Sequence, residues 1–69
     1  MNKLSKEQEF IIFCLEAYKN KKNITGKKAI NDFKKYNVLE FLESSFDILH
    51  SQSMNYITDE INEFIKNKK

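Results

Sequence analysis

A chain of 69 residues with a single glycine and no proline has little capacity for tight turns. The hairpins of a small all-β fold depend on those residues, so helices joined by short polar loops are the expected architecture. Nine aromatic side chains, six Phe and three Tyr, give so short a chain enough apolar surface to fold rather than stay disordered. The length accommodates one domain over residues 1–69, with a thin stability margin and no room for a second core or a cofactor cradle. The fold class expected is all-α, a compact bundle of three to four helices.

The pattern along the chain divides accordingly. Ser5 and Gln8 have the capping-box spacing, and a first helix follows from about Lys6 to Lys21. At 100° per residue, Phe10, Phe13, Cys14, Ala17 and Tyr18 share one face, widened by Ile11 and Leu15, with Ile12 opposite. Thr25 is suited to cap a second helix carrying Ala29, Ile30, Phe33 and Tyr36 as a narrow stripe between lysines, and Asn37 to close it in a left-handed conformation. A third helix is expected from Val38 to about Ser51, with Leu39, Leu42, Phe46 and Leu49 inward and Val38, Phe41 and Ile48 beside them. Its opposite side carries Glu40, Glu43, Asp47 and His50 as an acidic ridge ending in a histidine. A fourth helix is expected from about Thr58 to Asn67 on Ile61, Phe64 and Ile65, with Met54–Ile57 either helical or a short extended arm. The core is expected to contain Phe10, Phe13, Ala17, Leu42, Phe46, Leu49 and Ile61.

Cys14 is the sole cysteine, which excludes an internal disulfide and points to a reducing compartment. The basic start, Met1 to Lys6, runs into Glu7 and Glu9 where a leader would turn apolar. The longest apolar run, Phe10 to Leu15, falls far short of a membrane span. A cytoplasmic protein with no membrane association is expected.

All twelve basic residues are lysines, and they are unevenly placed. Met1–Tyr36 carries +5, Asn37–Ile65 carries −6, and the last four residues add +3. Such a charge dipole is either neutralised internally, by helix two lying near helix three, or used to orient a partner; the first is the expectation.

Catalytic chemistry finds little footing. Cys14 and His50 are the only nucleophile and base of their kind, and Cys14 sits mid-stripe on an apolar face, where cysteine is inert. One Cys and one His fall short of the four ligands of a structural zinc site, so no metal is expected. Glu43 and Asp47 lie on an exposed ridge without a cleft, and Gly26 alone cannot build a phosphate loop. No enzyme activity and no cofactor are expected. The lysines from Lys19 to Lys35 raise a helix-turn-helix DNA-binding reading. Against it stand the absence of arginine for guanine recognition and the acidic ridge where a recognition helix would lie.

The run Glu9 to Lys19 resembles the first helix of a bacterial family catalogued as domain of unknown function thirty-seven ninety-one, as do Thr25-Gly26-Lys27, Phe33 and Tyr36, Phe46 to His50, and the closing Tyr56-Ile57, Ile61 and Phe64-Ile65. That family commonly has glycines near Asn37 and after the Leu-His pair, where this chain carries Asn37 and, in the second region, Ser53. The resemblance implies a small helical protein, often encoded beside a predicted ADP-ribosyltransferase-like toxin, and hence an antitoxin or accessory role. It brings no catalytic residue.

These readings converge on a non-enzymatic protein-interaction module, an antitoxin-like partner of a toxin, with a small DNA-binding regulator as the alternative. Helices one and three each present apolar arcs of about half the cylinder. Association with a partner or with itself is therefore expected through Ile12 and the Phe41/Ile48 edge, beside Glu40, Glu43, Asp47 and His50. The competing reading packs helices one and three together under the other two and leaves Ile12 an ordinary exposed residue.

Overall fold

The computed structural model describes residues 3–69; of the basic start, Met1 and Asn2 lie outside the described residues. Every described element is a helix, in the order α1 (Lys6–Lys22), α2 (Gly26–Lys35), α3 (Val38–Ser44), α4 (Phe46–Leu49) and α5 (Met54–Lys68). The all-α class therefore holds, with five helices in place of three to four.

Local chemistry sets most of the boundaries. At the start of α1 the Ser5 hydroxyl accepts from the Gln8 N–H at 3.1 Å, and the Gln8 side chain accepts from the Ser5 N–H at 2.9 Å, completing the capping box. Thr25 caps α2 by accepting from the Lys28 N–H at 3.1 Å. Asn37 takes the left-handed conformation, φ 58°, that turns the chain from α2 into α3. Asparagine thus fills the backbone role that glycine would otherwise serve.

Two boundaries differ from the sequence expectation. The helix foreseen from Val38 to Ser51 breaks at Ser45, which sits at φ −104°, ψ 6° between α3 and α4. Beside it, the Ser44 hydroxyl donates back to the Glu40 and Phe41 carbonyls (2.9 and 3.2 Å), a local bond that competes with continued helix. The last helix begins at Met54 rather than Thr58, because the Ser53 hydroxyl accepts from the Tyr56 N–H at 3.2 Å and starts the helix there. Met54–Ile57 is consequently helical, and Thr58 lies buried inside α5.

Core packing brings α1 against both α2 and α5, with α3 touching all three. Cys14, Ala29, Val38, Leu42 and Ile61 are fully buried, joined by Phe33 and Ile57. Phe10, Leu42, Leu49 and Ile61 occupy the core as expected. Phe13 does not: α1 is rotated so that Phe10, Cys14 and Tyr18 point inward with Ile11 and Leu15 half-buried, leaving Phe13 62% exposed. Ala17 and Phe46 are half-buried. Phe46 lies edge-on to Phe10 with centroids 5.3 Å apart, and Phe41 stacks on Phe64 at 4.3 Å.

One polar network pins α1 to α2. The Tyr18 hydroxyl donates to Asp32 Oδ2 at 2.9 Å, and Lys28 Nζ donates to Asp32 Oδ1 at 2.8 Å. Burial alone would raise the Asp32 carboxyl, but these two bonds and the charges of Lys28 and Lys69 outweigh it and hold it below the ordinary carboxylate range. Between the basic and acidic halves, the only ion pair among the described residues is Lys21–Asp59 at 2.8 Å, joining α1 to α5. The expected neutralisation of α2 by α3 is not made through ion pairs, although the two helices pack together.

Candidate functional site

One patch of apolar surface left over by the packing lies where α1, α2 and α3 meet. There Ile11 and Leu15 of α1, Ile30 and Phe33 of α2, and Leu39 of α3 line a shallow groove of about 160 Å³. Phe33 is buried in its floor, while Ile30 and Leu39 stand 42% and 37% exposed at its edges. Lys34 is the single polar side chain lining it. The groove follows from rotation: α1 turns its Ile11/Leu15 side toward α2 and α3, and neither of those short helices is long enough to cover it.

The residues singled out from sequence are scattered by comparison. Ile12 is 46% exposed and lies roughly opposite the buried Phe10/Cys14/Tyr18 face of α1, as expected, and it does not line the groove. Ile48, 70% exposed, projects from α4. Phe41 is half-buried against Phe64, so the expected Phe41/Ile48 edge is not a continuous strip of one helix. The acidic ridge is likewise divided by the break at Ser45: Glu40 and Glu43 belong to α3, Asp47 to α4, and His50 follows it, all four exposed. The His50 ring stacks on Phe46 at 4.6 Å, and its Nδ1 donates to the Phe46 carbonyl at 2.6 Å. That bond ties up the nitrogen nearest the chain and closes α4.

Cys14 is fully buried, and burial pushes its thiol up to about 12. No hydrogen bond links it to His50 among the described residues. No helix among them is long and apolar enough to cross a membrane. Ile30 and Leu39 were read from sequence as parts of inward stripes. Their exposure arises from how three helices meet; the wide arc of helix three was a sequence signal for Leu39, and the narrow stripe of helix two offered none for Ile30.

A family model described as "Protein of unknown function (DUF3791)" matches residues 9–68, which covers all five helices except the first turn of α1. No curated protein and no solved structure matches the chain.

Proposed function

The chain belongs to the DUF3791 family, and from that footing we propose that it is a non-enzymatic cytoplasmic module that works by binding another protein, as the small antitoxin-like partner of a toxin. The observation that supports this reading is the groove of Ile11, Leu15, Ile30 and Leu39, an apolar surface on a very small domain whose only polar lining is Lys34. Aliphatic side chains held on three packed helices form a preformed, low-entropy surface for an apolar segment of a partner.

The test is co-expression with the product of the adjacent gene. A stoichiometric complex and relief of any growth arrest caused by that product are expected for the native protein. Both should be lost in Ile30→Glu and Leu39→Glu, whose helical content stays native because each residue is already partly exposed. Absence of a complex, or a complex indifferent to both substitutions, refutes the reading. So does tight, sequence-selective DNA binding at physiological salt, because lysine contacts alone produce weak binding that collapses with salt.

A further inference from the structure

A second concavity lies on the other side of α2, and its chemistry is unlike that of the groove. Helices α2 and α5 both pack on α1 and leave between them a cleft of about 440 Å³, within the size range of small-molecule sites. Three helical rows converge on it. Tyr18 and Lys22 come from the end of α1, Lys28, Asp32 and Tyr36 follow one face of α2, and Ile65, Lys66 and Lys69 come from the end of the chain.

Four ammonium groups thus face two carboxylates, Asp32 and Glu63. The Asp32 charge is already engaged by the Tyr18 hydroxyl and by Lys28, and it also feels the charge of Lys69. Lys22, Lys66 and Lys69 form no ion pair among the described residues. The Lys22 ammonium instead sits 6.0 Å from the centroid of the Tyr18 ring. Apolar and aromatic wall is present beside these charges in Ile24, Ile65 and Tyr36.

We propose that this cleft between α2 and α5 binds a small molecule carrying a phosphate monoester on a planar or apolar body, the phosphate meeting Lys22, Lys66 and Lys69 and the body lying against Ile24, Tyr36 and Ile65. A phosphate dianion is the ligand group that best satisfies several ammonium ions lining one cleft, which bind it as point charges. The Tyr18–Asp32–Lys28 network serves a positioning role: it holds Lys28 on the wall and ties the α1 and α2 sides of the cleft together. A concave, partly apolar site suits a compact ligand, whereas a duplex would need a convex or extended basic face. The proposal is independent of the protein-binding groove, since the two sites share no residue.

The experiment is a titration of the isotopically labelled full chain, at physiological ionic strength, with adenosine monophosphate, adenosine, inorganic phosphate and a random-sequence DNA duplex. Saturable shifts for the monophosphate at Tyr18, Ile24, Tyr36 and Ile65 are expected, with adenosine and phosphate alone each binding at least about tenfold more weakly, a difference of about 1.4 kcal/mol. The double variant Lys22→Gln/Lys66→Gln should weaken the monophosphate by about tenfold or more with a melting temperature changed by no more than about a degree or two, because both side chains are exposed and form no ion pair among the described residues. No saturation by the monophosphate, equal binding of all small anions at every lysine, undiminished binding by the double variant, or shifts produced only by DNA would each overturn the proposal.

Discussion

Cys14 places an ionisable thiol in the centre of the α1 face, and its burial couples stability to alkaline pH. The folded protein prefers the neutral thiol, whose pKa rises from 9.0 to about 12. That preference is fully present below pH 9.0 and is lost as the pH climbs toward 12, because the unfolded chain releases the proton first. Unfolding free energies from denaturant titrations across this window should fall by up to about 1.4 kcal/mol per pH unit more in the native protein than in Cys14→Ala. Parallel slopes in the two proteins would assign the effect elsewhere. On the acid side the sign reverses: Asp32, held below its ordinary range, contributes stability above the unfolded carboxylate value and loses it as the pH falls through its depressed folded value. Phe13 makes the complementary point. Its heptad-like position suggested a core residue, yet neighbours that the sequence cannot place decide the rotation of α1, and Phe13 is left outside. Phe13→Ala should therefore cost less than about 1 kcal/mol, far below the 3–5 kcal/mol typical of a buried phenylalanine, as thermal or urea unfolding will show.

At the scale of elements, what was legible in the sequence was what is decided within four residues. Ser5 with Gln8, Thr25 with Lys28 and the left-handed Asn37 all depend on side chains bonding to nearby backbone or on one residue's φ, and each was read correctly. The Ser45 break was not, and periodicity did not decide whether Met54–Ile57 is helical or an extended arm. The apolar repeat runs through Ser44-Ser45 without interruption, so periodicity alone favours one long helix; tertiary packing of Phe46 on Phe10 accompanies the redirected chain. The Ser53 hydroxyl makes the capping bond that starts α5 at Met54. Asn37 supplies the sharpest test at this scale. Asn37→Gly should be neutral or stabilising by a few tenths of a kcal/mol, while Asn37→Ala should lose about 1 kcal/mol, because a Cβ without a compensating polar group is strained at φ 58°. Equal melting temperatures for the two variants would remove left-handed strain from the account.

Over the whole molecule, stability rests on one small core in which α3, only seven residues long, meets α1, α2 and α5. Leu42 is the fully buried side chain at that junction, larger than its fully buried neighbours Val38 and Cys14. The sequence reading placed Phe46 in the core beside Leu42, but with the chain broken at Ser45 Phe46 is only half-buried while Leu42 is fully buried. A domain of 69 residues has a total stability on the order of 3–10 kcal/mol. Removing three carbons from a core site with no slack costs about 2–5 kcal/mol. Leu42→Ala should accordingly leave a chain with most of its unfolding transition below or near physiological temperature, and Phe46→Ala should be milder than Leu42→Ala. Since a ligand or partner that binds only the folded state adds RT ln(1 + [L]/Kd) to stability, an occupant of the groove or of the α2/α5 cleft should restore a cooperative transition to Leu42→Ala. Calorimetry of that variant with and without the adjacent gene product, and with and without adenosine monophosphate, separates the two sites: recovery with one and not the other identifies which concavity is occupied, and recovery with neither counts against both.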